Sequence, residues 1–345
     1  IFLKKSSLCD IKDSLLMRGF LKAIFATFIL LSAVGCAPHS RYVVVEGLML
    51  GTTYRVVANT TMSQGEIYAA AMEIDSIAKS SMSIFNENSL ISRINDNRAN
   101  ELDIHLLRNI AVANRINAMS DGAYDITIKP LTDAYGFAAK GKIEHPNIDS
   151  LLTFVGFDKF RVDGFRVVKD DSRLQFDLNS LAKGYTVDMF ADFLQSRGCG
   201  DYIVEIGGEI RASGVNAHGN NWRIGVDNPF EGNQSPGEYQ QTVINISNKA
   251  VATSGNYRRY YTDNEGNKVT HTISPKTGKS VASRLLSATV VANLCVEADA
   301  MATMFMAMGD SAAIALAQSL KAEGVQVYFV LANGEEYEIF STLEK

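Results

Sequence analysis

Apolar positions along the chain follow two periods, and the elements they predict alternate without a strict strand–helix–strand rhythm. Ile67, Ala70, Ala71, Ile74 and Ile77 recur at helical spacing behind Ser63 and Glu66, a Ser-x-x-Glu capping box that predicts a helix start at Ser63. A second helix is predicted from Asp103 to Met119, with Leu106, Leu107, Ile110 and Ile116 as its buried stripe. Others are predicted from Leu181 to Gly198, from Glu297 to Met308 with Gly309 as its stop, and from Ala312 to Ala322. Alternating, β-branched stretches predict strands around Gly51 within Tyr42–Val57, two strands around Gly164 within Arg161–Leu178, and further strands at Asp201–Ser213, Asn221–Val226, Thr242–Ile246 and Leu286–Val291. A loop rich in Asn, Gly and Pro spans Asp227 to Tyr239. The chain closes on a hairpin whose turn is Asn333-Gly334. Neighbouring strands joined by short turns pair antiparallel, so the fold class is α+β: mixed, largely antiparallel sheets packed with helices.

The N-terminal stretch reads differently. Met17 is a better start than Ile1, and from it Arg18 and Lys22 precede an apolar run, Ala23 to Val34. That run is shorter than the roughly 20 residues a membrane-spanning helix needs, and it matches an export signal. Ala33-Val34-Gly35-Cys36 resembles a bacterial lipoprotein cleavage site, with Ala33 where Leu is more usual. The expectation is a leader over 1–35 and a globular domain over 36–345, tethered by lipid on Cys36 to a membrane at the periplasmic side of the cell envelope. Ordinary signal cleavage or a retained anchor are the other readings.

With 46% hydrophobic and 21% charged residues, the bulk is globular. A formal net charge of −5 argues against general nucleic-acid binding, which wants a basic surface, but leaves room for a local phosphate pocket. Cys199 and Cys295 are the body's cysteines; no Cys/His spacing suits zinc, and one pair alone does not establish a disulfide.

Four stretches carry candidate chemistry. In Asp177-Leu178-Asn179-Ser180-Leu181-Ala182-Lys183-Gly184-Tyr185 a strand ends and a helix begins. Helix N-termini favour anions, and a cation at Lys183 opposes the macrodipole unless a phosphate is the third party. The same residues also read as a solvated Lys183 and a capping Asp177. In Glu297-Ala298-Asp299-Ala300-Met301-Ala302-Thr303, Asp299 and Thr303 share one face of an otherwise apolar helix. They are hard oxygen groups of the kind Mg²⁺ uses; an N-terminal acid and a Thr bonded to its own backbone is the plainer reading. Ala252 to Tyr260 reads as a turn leading into an aromatic strand, and His271 to Gly278 as a strand running into a Pro/Gly turn. His271 is there either a general base or a structural strand residue. Asp121 to Leu131 offers an aromatic beside a carboxylate, able to hold a ring and a ribose, or else a turn and a buried strand.

In this order the chain resembles the ApbE flavin transferases from about Leu50 to Gly309. The resemblance is carried by Gly51-Thr52-Thr53-Tyr54, the segment from Met82 to Ser89, Asp121 to Leu131, Asp177 to Tyr185, Glu205-Ile206-Gly207-Gly208-Glu209, Thr253 to Tyr257, His271 to Gly278, and Ala298 to Thr303. It implies an ApbE-like fold and a Mg²⁺-dependent transfer of FMN from the substrate FAD to Thr or Ser of a partner protein, with AMP released. The expected partner is a flavoprotein subunit of a membrane redox complex. By the same resemblance Asp299, Thr303 and the backbone carbonyl of Ser180 hold the metal. Ala123, Tyr124, Asp125, Asp177, Lys183 and Ile273 contact FAD, Phe85 stacks on a ring, and Lys183 and His271 are catalytic. Phe85 stands where relatives often have Tyr, Leu50 where Met is common, and Ser274 where Asp is common before the Pro. An FAD pyrophosphatase, a non-catalytic FAD-binding lipoprotein and a purely structural envelope lipoprotein remain the alternatives.

Overall fold

Ser63 starts the first helix as its sequence predicts. Its side chain accepts from the Glu66 amide while Glu66 Oε2 accepts from the Ser63 amide at 2.8 Å. The computed structural model describes residues 41–137, 142–229, 240–256, 260–262, 266, 268–334 and 336–344. The leader, with Met17 and Cys36, and residues 230–239 of the Asn/Gly/Pro loop lie outside the described residues. In chain order the elements are β1 (Arg41–Met49), β2 (Thr52–Thr60), α1 (Gln64–Met82), α2 (Leu90–Asn95), α3 (Ile104–Met119), α4 (Lys129–Ala134) and α5 (Ile148–Leu152). Next come β3 (Phe160–Asp163), β4 (Arg166–Lys169), α6 (Ala182–Ser196), β5 (Tyr202–Ile206), β6 (Glu209–Ser213), β7 (Trp222–Asp227) and β8 (Gln240–Ile246). The rest are β9 (Lys249–Gly255), β10 (Tyr260–Thr262), β11 (Lys268–Thr270), β12 (Leu285–Ala292), α7 (Cys295–Met308), α8 (Asp310–Leu320), β13 (Gln326–Asn333) and β14 (Glu336–Ser341).

Eight strands form one sheet in the order β1-β2-β5-β6-β9-β12-β13-β14. The registered pairings from β2 to β14 are antiparallel. β12 is apolar at nearly every position because both its faces are covered. Ala288 and Val290 face a core shared with α3, α7 and α8, while Val291 faces a second core beneath the β7–β8 hairpin, where Trp222 and Ile224 lie. A third core lies between α1, α6 and strands β1, β2 and β5. α7 is wrapped by α3, α6, α8, β9 and β12. That surround explains why it is apolar all round, a pattern that fits a buried helix.

Two local expectations and one alternative reading fail. Residues 170–178 do not extend the β3–β4 hairpin: Asp171 Oδ1 accepts from the Arg173 amide at 2.8 Å and closes a turn, leaving Gln175 as a lone bridge to Ile128. So no strand ends at Asp177. Residues 252–255 form no turn but lie inside β9, where small Ala250 and Ala252 are buried between β6 and β12. The stretch to Leu131 is no buried strand either; Pro130 sits in the first turn of α4, where its missing N–H costs nothing. Cys199 and Cys295 are free and buried.

Candidate functional site

The site is built where α6 begins. Its N-cap, Leu181, has no side-chain acceptor to offer; the Leu178 carbonyl takes the Ala182 amide at 2.9 Å, and the next amides need partners from elsewhere. Asp299, on α7, supplies one: its Oδ2 accepts from the Gly184 N–H at 2.9 Å. Gly184 is required there because a side chain would collide with the α7 backbone at Cys295. Among the described residues Asp299 Oδ1 has no hydrogen-bond partner. Burial pushes the Asp299 carboxyl up to about 7; Lys183 pulls it down and Glu209 adds to the rise.

Lys183 stands beside it, its ammonium on Glu209 Oε1 at the start of β6. Burial alone would lower its pKa, but Glu209 and then Asp299 hold it above the usual lysine value, so it is a fixed positive charge. The other oxygen of Glu209, Oε2, is buried and has no hydrogen-bond partner among the described residues. One helical turn beyond Asp299, the Thr303 hydroxyl meets Ser254 Oγ of β9 at 3.1 Å.

The loop before α6 is tied to the 121–131 segment. The Asp177 amide donates to Ile126 O at 2.7 Å, and the Tyr124 hydroxyl and Ser180 Oγ are 2.8 Å apart. Tyr124 is only 3% exposed, so its ring supports the Ser180 loop from within and offers no exposed face. Burial, with Asp299, Asp177 and Asp125 nearby, raises the Tyr124 hydroxyl pKa and keeps it protonated. Asp125 Oδ1 accepts from the amide and the hydroxyl of Thr127, both at 2.7 Å. Asp177 Oδ1 accepts from the Asn179 amide at 2.9 Å, and burial raises its carboxyl pKa. Ala123 is half-buried on the same segment.

The remaining candidates come from separate elements. Phe85 is 64% exposed in the turn after α1, an open aromatic face. His271 follows β11 and meets Phe137 edge-on at 6.2 Å between centroids. Ile273 is buried against Leu131 and Val155. Ser274 forms the turn, its carbonyl accepting from the Gly278 amide at 2.8 Å.

Sequence reasoning quoted Glu209 without a role, and it passed over Asp188, whose carboxylate receives two amides of α7. A carboxylate inside the otherwise apolar run from Val187 to Ala191 was the signal available for it. Around the start of α6 stand a half-committed buried carboxylate, hydroxyls, a fixed ammonium and a helix N-terminus, groups whose chemistry suits a hard cation and a phosphate.

The ApbE family model matches residues 50–329. The FAD:protein FMN transferase of Vibrio cholerae is 33% identical over 317 residues, covering 88% of this chain and 91% of that protein. The FAD:protein FMN transferase of Haemophilus influenzae is 31% identical over 334 residues, covering 91% and 94%. Among solved structures, the flavin transferase ApbE from Vibrio cholerae superposes with a TM-score of 0.77 at 28% identity, covering 88% of this chain and 97% of that one. With the family's motifs in order and its fold reproduced over the same span, the chain belongs to the ApbE family.

Proposed function

We propose that this protein is a Mg²⁺-dependent FAD:protein FMN transferase that links FMN through a phosphoester to Thr or Ser of a partner protein and releases AMP. The observation that carries the reading is Asp299, a buried carboxylate with one oxygen on the Gly184 amide and the other uncommitted, beside Lys183 at a helix start. Asp299, Thr303 and the Ser180 carbonyl are hard oxygen donors, and one carboxylate completed by waters and substrate phosphates is a common Mg²⁺ arrangement. When bound, Mg²⁺ would offset the negative charge of the diphosphate.

The chain's own residues supply the rest. Lys183, through its ammonium and its open amide in the first turn of α6, orients the diphosphate and stabilises charge growing on the oxygen that leaves with AMP. Asp125, Asp177 and the Ala123–Tyr124 backbone hold the nucleotide, Ile273 gives an apolar wall, and Phe85 a stacking face. The partner hydroxyl attacks the phosphorus on the FMN side, its proton passing to His271; the bond from that phosphorus to the bridging oxygen breaks, and AMP departs with the oxygen. Positioning and charge are sufficient, so no covalent enzyme intermediate is needed.

We also infer that the leader exports the chain from Met17 and that lipid on Cys36 holds the domain over 36–345 at the periplasmic face of a membrane, where a flavoprotein subunit of a membrane redox complex is its partner. Among the described residues no helix is long and apolar enough to cross a membrane. The test is mass spectrometry of a flavin-free acceptor domain incubated with the protein from residue 37 onward, FAD and Mg²⁺. One FMN phosphoryl adduct, lost with EDTA and with Asp299→Ala, is expected. FMN and AMP accumulating without adduct would replace the transferase with a pyrophosphatase, and FAD bound without reaction would leave a binding protein.

A further inference from the structure

α6 and α7 cap each other. α7 begins at Leu294, whose side chain cannot accept a hydrogen bond, so its first amides are orphaned in a buried setting. Asp188, in the middle of α6, takes them: Oδ1 accepts from the Cys295 amide at 3.0 Å and Oδ2 from the Val296 amide at 2.9 Å. In return Asp299 of α7 takes the Gly184 amide of α6. Arg211 of β6 donates to Asp188 Oδ1 at 2.9 Å and supplies its counter-charge; the same guanidinium reaches Asp192 at 3.2 Å, whose side chain is 65% exposed. Lys183 and Asp188 of α6 thus face Glu209 and Arg211 of β6, two pairs of opposite polarity that hold α6 in one place on the sheet.

Asp299 and Thr303 lie about one and two helical turns beyond the amides that Asp188 holds. A slide or rotation of α7 would move both together. The Gly184–Asp299 bond shares its carboxylate with the cation, whereas the Asp188 cap is independent of it.

We propose that Asp188 is a positioning residue that fixes the register of α7 and so places the Asp299 carboxylate and Thr303 hydroxyl for the divalent cation. The proposal rests on the metal reading given above. Removal of a partner that orients ligands typically weakens metal binding about 10–100-fold. Asn at this position accepts on one oxygen only and turns an NH₂ toward an amide donor.

The experiment is titration of Mn²⁺ into the protein from residue 37 onward with FAD present and no acceptor, read by loss of the free-Mn²⁺ EPR signal. Asp188→Asn is expected to bind at least tenfold more weakly, and Asp192→Asn within threefold of wild type. Leu294→Ser gives α7 a cap of its own, since Leu294 already has extended N-cap backbone (φ −116°, ψ 145°). Added to Asp188→Asn, it is expected to restore most of the lost affinity. Asp188→Asn binding within threefold of wild type overturns the proposal and leaves the metal reading intact; so does a double variant no better than the single one. Wild type without Mn²⁺ binding overturns both. Should Asp188→Asn alone not fold, a double variant that folds and binds within tenfold of wild type supports the proposal, and one that does not bind overturns it.

Discussion

Replacing Gly184 by Ala tests the joint on which the site is built. A methyl there would lie 2.4 Å from the Cys295 carbonyl oxygen, 2.7 Å from its carbon and 2.8 Å from Asp299 Cβ. These atoms belong to the α7 backbone or are attached directly to it, so no flexible side chain can move aside. Carbon contacts are comfortable at about 3.5–4.0 Å, so α6 and α7 must part by roughly 1 Å. Overpacking of this kind costs about 1–3 kcal/mol, partly offset by the roughly 1 kcal/mol by which Ala outranks Gly in a helix. The body should melt about 2–4 °C lower, at the sensitivity of larger domains. The functional loss is expected to be larger than the stability loss. The same displacement lengthens the Gly184–Asp299 bond and moves Asp299 away from Lys183, and an error of about 1 Å in a catalytic group can cost on the order of 100-fold in rate. The assay is FMN transfer to the acceptor domain, with melting followed in parallel. Gly65→Ala is the control, because the nearest atom to its new methyl is Ser63 Oγ at 3.9 Å; it should match or exceed wild-type stability and retain activity. Gly184→Ala with transfer within threefold of wild type and an unchanged melting temperature would refute the close-contact reasoning.

Other consequences can be checked separately. The Asp299 carboxyl holds its proton up to about 7 in the fold, against about 3.9 in an unfolded chain, so the folded state binds more protons between those values. Metal-free protein should therefore lose stability as pH rises from about 4 to 7, and urea midpoints should show a smaller fall in Asp299→Asn; an equal fall in both would discard this assignment. Lys129 and Asp133 form an ion pair with side chains only 6% and 8% exposed. Lys129→Met strands a buried carboxylate and should cost about 3–5 kcal/mol in chemical denaturation, while Lys129→Met/Asp133→Leu should recover most of it. If the double variant is as unstable as the single one, the pair is not what the substitution breaks. Cys199 and Cys295 are buried free thiols, so native protein from residue 37 onward should react slowly with a thiol reagent and melt identically with and without reductant; a reductant-dependent shift would contradict this.

How much of this was legible in the sequence depends on the range of the interaction. The capping box at Ser63, the stripe of α3 and the terminal hairpin are set by residues a few positions apart, and the one-dimensional pattern reports them directly. The failures share a cause. β9 looked like a turn because small Ala, Thr and Ser residues are neutral to local propensity; pairing of residues 252–255 with Ser287–Val290 of β12 makes them a strand. Residues 170–178 looked like a strand because Leu174, Phe176 and Leu178 alternate with polar residues, but the turn closed by Asp171 and Arg173 separates them from the β3–β4 hairpin. At the site the same division applies. Lys183, Asp299 and Thr303 could be singled out as polar groups out of keeping with their surroundings. Their partners could not, because Asp299 finds Gly184 across 115 residues and Val296 finds Asp188 across 108. Neither helix carries a side-chain cap at Leu181 or Leu294, so each predicted N-terminus was incomplete on its own. A helix with no local cap in a buried position has to be capped from elsewhere, because orphaned amides there are too costly to persist. Such missing local chemistry therefore marks where a chain will bring in a distant carboxylate, and here it does so on both sides of one joint.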